Sequence, residues 1–548
     1  MTRGRAIAGV CCLLAVAAAA LAVRLPRLAQ RPMHGDEANQ ARKAGDLLET
    51  GVYRYDRHEH HGPTLYWLTW PVLRLTGATR FADTSEWQYR LVPVLFAAGL
   101  VLLLLLAVDG VGWPAAVLAG VLTAISSAMV FYSRYYIQET LLVFFTCGAL
   151  FCAWRFVRRP SLCWALVTGV CLGLMHATKE TWVLAAAAAA LGWGLTLGWT
   201  WWQEGVLPDL RPHFRPARLA AVVGAAVLVA VALYSSFGTN PRGPLDSLLC
   251  YETYWQRGTT GVGENALHTH AWSYYLQLLL GDRFDFLNDL RRLFTGRPPR
   301  GLSWSEGLIM GLAAVGFLVS LTPRGLPESQ RPFVRWLGCY TILLTALYAV
   351  IPYKTPWCLL SFLHGMILLA GVGGWVLLRA PRSMVGRGLM AVALVVGLVH
   401  LGWQSYALNF RFFADQRNPY VYAHTSPDAV NLASRMEELA ALAPDGHEMV
   451  IHIVTPENPW PLPWYLRRFN PDHVGHWSDT TKWRSETETQ PPPSVIILTE
   501  AVRDAVEAAF PDGYNRQMNF GLRPGVLLSV YVRQELWDAF LATVCPAD

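Results

Sequence analysis

LVPVLFAAGLVLLLLLAV, residues 91–108, carries no charged side chain. Four residues later WPAAVLAGVLTAISSAMV, residues 113–130, repeats the pattern. A helix rises about 1.5 Å per residue, so about 20 apolar residues cross the hydrocarbon layer of a bilayer. Lipid offers no partner to backbone N–H and C=O groups, so such runs must be helices. Working outward, nine further runs share the pattern: 6–24, 140–157, 161–178, 181–200, 219–237, 303–321, 336–352, 357–378 and 388–405. The chain reads as a polytopic α-helical membrane protein with about 11 transmembrane helices.

Composition agrees. Of 548 residues, 53% are hydrophobic and 15% charged, and mean hydropathy is +0.28. A soluble domain carries about 25% charge. A soluble globule, a disordered chain, collagen and a coiled coil are all excluded. The net charge of +6 reflects membrane sidedness rather than a nucleic-acid footprint. Eight cysteines fall in or beside apolar runs and only Cys250 and Cys545 lie well outside, so no disulfide framework is implied.

The first run, flanked by Arg3 and Arg5, reads as an uncleaved helix rather than a signal peptide, because it exceeds the usual length of a signal's apolar region. Alternation of sides then assigns every loop. One side collects Arg155, Arg158, Arg159, Arg211, Arg215, Arg218, Arg324, Arg331, Arg335, Arg379, Arg382 and Arg387 with few acids. The positive-inside rule makes that side cytoplasmic. The expected location is the plasma (inner) membrane, multi-pass, N-terminus cytoplasmic. Residues 1–408 form the membrane domain, with long outer loops at 25–90 and 238–302. Residues 409–548 form a small extracytoplasmic α/β domain: apolar runs Met449–Val454, Ser494–Thr499 and Val526–Val532 alternate with helical patterns at 428–442 and 500–510. No Gly-rich phosphate loop follows these strands.

The unusual polar residues gather on the outer side. Asp36 and Glu37 lie just past the first span; a carboxylate near apolar surface can serve as a base, or the pair can simply favour a helix start. His58-Glu59-His60-His61-Gly62-Pro63 could ligate a divalent metal or a phosphate, or be an interfacial loop. Glu139 opens the fourth span, where it either caps the helix, pairs with Arg134, or adds a second carboxylate. Lys179 and Lys354 are ionisable residues at the outer rim, suited to an anionic lipid headgroup. Trp460, Pro461, Pro463 and Trp464 offer either a sugar-stacking platform or ordinary packing.

These residues resemble the GT-C membrane glycosyltransferases, and more narrowly glycosyltransferase family 39 with its protein-mannosyltransferase and aminoarabinose-transferase relatives. Asp36-Glu37 is similar to the acidic pair of their first outer loop, Glu139 to the carboxylate after the third span, and Thr178-Lys179 to the pair at the next outer turn. His61-Gly62-Pro63 departs from the basic-Pro-Pro motif by His for Lys and Gly for Pro. His34-Gly35-Asp36-Glu37, His61 to Tyr66, Tyr353 to Trp357, Asn418 to Tyr422 and His424 to Pro427 further resemble the flippase activity-associated protein family, a branch of that superfamily. The resemblance spans nearly the whole chain.

It implies an inverting transferase that takes a sugar from a polyprenyl-phosphate donor at the bilayer surface. The acceptor is a glycan, a lipid or a protein. Asp36 would be the general base, in a carboxylate set with Glu37 and Glu139. Lys179, Lys354 and His61 would meet the leaving phosphate, with Arg134 at the same substrate. His60 and Glu139 would hold a divalent metal or orient the donor. No nucleic-acid partner is expected. The alternative is a transport-associated protein for lipid-linked sugars without transferase activity; charge-free spans weigh against it.

Overall fold

The computed structural model describes residues 3–58, 61–205, 207–211, 213, 215–259, 268–281, 304–488, 490–509 and 513–544. Each of the eleven apolar runs coincides with a helix. Eight are long and apolar enough to cross a membrane: α1 (Arg3–Arg24), α4 (Glu86–Val111), α7 (Glu139–Arg158), α9 (Trp182–Glu204), α10 (Pro216–Tyr234), α14 (Arg331–Val350), the stretch Pro356–Arg379 that contains α15 (Leu360–Arg379), and α16 (Met384–Phe410). The pair α5 (Trp113–Ile125) and α6 (Ser127–Ser133), bent by 60°, makes a ninth if taken as one span. The remaining two, α8 (Leu162–His176) and α13 (Gly307–Ser320), have 15 and 14 residues.

In lipid, helices gain little from apolar burial against one another, so close backbone approach decides their packing. A Cβ at Gly373 would lie 1.9 Å from the Leu312 carbonyl, and one at Gly316 2.1 Å from the Leu369 carbonyl. Only glycine lets α13 and α15 touch there. Helices α10 and α16 leave most of their apolar surface uncovered, with Leu228 at 70% and Val399 at 67% exposure, as lipid-facing helices do.

Four shorter helices sit outside the spans: α2 (Gly35–Thr50), α3 (Thr64–Leu75), α11 (Gly243–Thr259) and α12 (Tyr274–Leu280). After Phe410 the chain forms α17 (Asp428–Leu442) and a five-stranded sheet in the order β2-β1-β3-β5-β4. The strands are β1 (Ile451–Val454), β2 (Val474–Trp477), β3 (Val495–Thr499), β4 (Tyr514–Arg523) and β5 (Val526–Arg533). β1 pairs in parallel with β2 and β3, whereas β5 runs antiparallel to β3 and β4. This small domain is packed onto the membrane helices. Trp464 is fully buried, its ring 5.6 Å from Phe81 and 5.5 Å from Tyr89. The Tyr465 hydroxyl accepts from the Met33 N–H at 2.9 Å.

Candidate active site

Helix α2 starts with a reciprocal cap. The His34 ring accepts from the Asp36 N–H at 3.1 Å, and the Glu37 carboxylate accepts from the His34 N–H at 3.0 Å. Neighbouring residues on a helix point about 100° apart, so the two acids face different surroundings. Glu37 is fully buried and receives Arg90 Nε at 2.7 Å, Arg90 Nη2 at 2.8 Å and the Tyr136 N–H at 2.9 Å. Burial alone would push its carboxyl up; Arg90 and Arg31 hold it below the ordinary value instead. Glu37 therefore anchors α2 and holds no spare lone pair toward a ligand. Asp36 is exposed, and among the described residues no cation pairs with its carboxylate.

One turn along the same face, Gln40 accepts from Gln138 Nε2 at 3.1 Å. Gln138 precedes Glu139, which opens α7 and forms a buried ion pair with Lys179 from the turn after α8. That turn docks on residues 62–64. The Thr64 N–H and hydroxyl both donate to the Ala177 carbonyl, at 3.0 and 2.6 Å. A Cβ on Gly62 would lie 2.2 Å from the same oxygen, which explains glycine at this position. The docking brings His61 Nδ1 to 2.8 Å from Glu180 Oε2 and 3.0 Å from the Tyr254 hydroxyl. Burial raises the Glu180 carboxyl, but the His61 ring and its hydrogen bond outweigh this and hold it below the usual range.

The third wall is Tyr353–Trp357. Lys354 is buried; its ammonium donates to the His270 carbonyl at 3.2 Å and to the Ile351 carbonyl. Burial lowers its pKa. Its N–H donates to the His268 carbonyl at 2.8 Å, and the His268 ring lies 2.6 Å from the Tyr422 hydroxyl. The Tyr422 carbonyl in turn meets His34 Nε2 at 3.0 Å, and the Trp357 ring lies 5.7 Å from that of His34. Burial, Tyr353 and Asp36 push the Tyr422 phenol up to about 12. Trp460 of the sheet domain closes the last side: a Cβ on Gly35 would lie 3.5 Å from its Cβ.

A chain of contacts between segments thus runs from Lys354 through His268, Tyr422 and His34 to the start of α2 that carries Asp36, and from α2 through Gln40 and Gln138 to Glu139, Lys179 and the His61 loop, five separate stretches in all. Arg134 is placed elsewhere, donating to the carbonyls of Arg24 and Pro26 at 2.6 and 2.8 Å and to that of Arg27 at the end of α1. His60 lies outside the described residues. Among the described residues no three His, Cys, Asp or Glu side chains gather as a metal set, and Glu139 is engaged by Lys179. Sequence reasoning alone leaves Arg90, Glu180 and His34 without roles. A charged residue beside an apolar run, such as Arg90 at its edge, is the signal that could find one of them.

Residues 64–232 match the family model described as dolichyl-phosphate-mannose-protein mannosyltransferase. No curated protein matches the chain. Among solved structures, ArnT from Cupriavidus metallidurans bound to undecaprenyl phosphate superposes with a TM-score of 0.63 at 16% identity, covering 94% of this chain and 97% of that one. The Archaeoglobus fulgidus oligosaccharyltransferase in complex with Zn and sulfate gives 0.54 at 12% identity, covering 97% and 76%. The same archaeal protein with an inhibitory peptide and a dolichol-phosphate gives 0.52 at 12%, covering 92% and 70%. The chain has the GT-C glycosyltransferase fold, with a small sheet domain at its C-terminal end.

Proposed function

We propose that this protein transfers a sugar from a polyprenyl-phosphate donor to an acceptor hydroxyl on the extracytoplasmic face of the membrane. One observation carries the reading. Of the four carboxylates at the site, Glu37, Glu139 and Glu180 are each held by a cation or a His ring, and Asp36 alone is accessible with no such partner among the described residues.

Asp36 takes the proton of the acceptor hydroxyl as its oxygen attacks the anomeric carbon from the face opposite the phosphate. The bond from that carbon to the phosphate oxygen breaks, and the sugar inverts. A phosphate leaves without a general acid, so one base suffices, unlike the acid and base pair of a glycosidase. Lys354 and His61, with Lys179 sharing its charge with Glu139, stabilise the charge that develops on the departing phosphate. A lipid-borne donor suits groups placed at the ends of membrane helices, as Glu139 is at the start of α7 and Lys179 just after α8. The matched mannosyltransferase model and the undecaprenyl-phosphate complex of an overall similar fold support that donor class.

The test is transfer in vesicles supplied with a radiolabelled polyprenyl-phosphate sugar and membrane-extract acceptors. The intact protein is expected to form new glycosidic bonds, and Asp36→Asn to form them about 10²–10⁴-fold more slowly while keeping its thermal stability. Normal transfer by Asp36→Asn removes Asp36 as the base. Headgroup translocation without any new glycosidic bond replaces the reading with transport.

A further inference from the structure

Glu180 and His61 meet where the loop before α3 docks on the turn after α8. The Glu180 side chain is 3% exposed and the His61 side chain 25%. A buried carboxylate is costly unless a donor or a cation answers it. Among the described residues no Arg or Lys forms an ion pair with Glu180; Lys179, the residue before it, pairs with Glu139 instead. Glu180 Oε1 accepts from the Tyr55 hydroxyl at 3.3 Å, and Oε2 lies 2.8 Å from His61 Nδ1.

The two nitrogens of the ring differ. The Glu180 carboxyl is held below the usual range, so it is ionised near neutral pH and can only accept. The hydrogen in the 2.8 Å contact therefore sits on His61 Nδ1. The Tyr254 hydroxyl lies 3.0 Å from the same nitrogen, with its ring stacked at 6.1 Å. The Tyr53 hydroxyl donates to the His61 carbonyl at 3.4 Å. Nε2, on the other side of the ring, has no hydrogen-bond partner among the described residues and is not buried. The ring is clamped at one nitrogen and open at the other.

We infer that Glu180 is a positioning residue for sugar transfer: it holds His61 as a cation, with Nδ1–H turned inward and Nε2–H presented to the departing phosphate. The inference rests on the transferase reading and names the residue that makes His61 competent in it. An unprotonated phosphate oxygen, like a carboxylate, only accepts. A ring between the two must bring both N–H groups, and with them one positive charge. A neutral ring would serve one acceptor and face the other with a lone pair. As the bond from the anomeric carbon to the phosphate oxygen breaks, its electron pair stays on that oxygen. Nε2–H donates a hydrogen bond to the charge that develops there, and the proton stays on the ring.

The test uses the full-length protein in the vesicle assay above, with the same radiolabelled donor, and Tm is measured beside each rate. Glu180→Gln is expected to lower kcat about 10–100-fold with KM for the donor little changed, the pattern of an interaction made in the transition state. Glu180→Asp, which keeps the charge, is expected to recover part of that loss. His61→Lys carries a permanent cation that needs no ring to be oriented. It is expected to retain transfer at a reduced rate, and adding Glu180→Gln to it should cost little. The same loss in both backgrounds, or an equal loss in Glu180→Gln and Glu180→Asp, makes Glu180 merely structural and overturns the inference. So does an unchanged kcat in Glu180→Gln, and so does loss of transfer in His61→Lys. No transfer by the intact protein fails the transferase reading itself, and this inference with it.

Discussion

Glu139 and Lys179 form a buried ion pair between the start of α7 and the turn after α8. Among the described residues neither has a second ion-pair partner, so removing one strands the other in a low-dielectric setting. Breaking a buried pair costs about 3–5 kcal/mol, whereas replacing both partners with apolar side chains is often neutral. Glu139→Gln is expected to lower Tm strongly, and the double change Glu139→Leu with Lys179→Met to recover most of it. Transfer should stay lost in the double variant, since the cation is gone. Thermal unfolding and transfer assays on the three proteins check this.

Asp36 and Glu37 are adjacent in sequence and opposite in consequence. Asp36→Asn removes a base from an accessible position and is expected to cut transfer by about 10²–10⁴-fold with little change in Tm. Glu37→Gln strips Arg90 of its carboxylate and should destabilise the fold by about 3–5 kcal/mol. Circular dichroism melts beside rate measurements separate the two.

Gly62 tests the docking of the His61 loop. Gly62→Ala forces a methyl toward the Ala177 carbonyl, where the unrelaxed distance is 2.2 Å. The expected cost is about 1–3 kcal/mol with a drop in transfer as His61 shifts from Glu180. Gly194, inside α9, is the control, because a methyl there would meet nothing within 4 Å. Gly194→Ala is expected to be neutral or slightly stabilising.

The depressed carboxyls set an acid limit. Glu37 and Glu180 titrate below their unfolded value of about 4.3. A lowered folded pKa gives stability that is fully present above the unfolded value and disappears as pH falls through the folded one. Unfolding should therefore become easier below about pH 4.3. In Glu180→Gln that acid sensitivity should diminish, which a series of melts across pH measures.

Much of this architecture is legible in the chain because lipid imposes a single requirement, an uncharged helix of sufficient length. Residues 91–108 satisfy it so fully that the helix extends to Glu86–Val111. The kink between α5 and α6 is not legible, because run 113–130 stays apolar through Ser126, where the bend falls. In the sheet domain, β1, β3 and β5 announce themselves by apolar runs. β2 and β4 do not: they are the edge strands, Val474–Trp477 being short and only partly buried and Tyr514–Arg523 polar. At the site, residue types reveal the acids and cations, but their pairing depends on contacts between distant segments. Nothing local distinguishes Asp36 from Glu37 until Arg90, 53 residues on, chooses the second.

The contacts of Met33 with Tyr465 and of His34 with Tyr422 bear on how the molecule is born. The residues that flank Asp36 leave the ribosome early; the tyrosines they contact follow 388 and 432 residues later. A partly synthesised chain therefore holds Asp36 without its walls. A product that stops before Tyr422 is therefore expected to lack both contacts around Asp36.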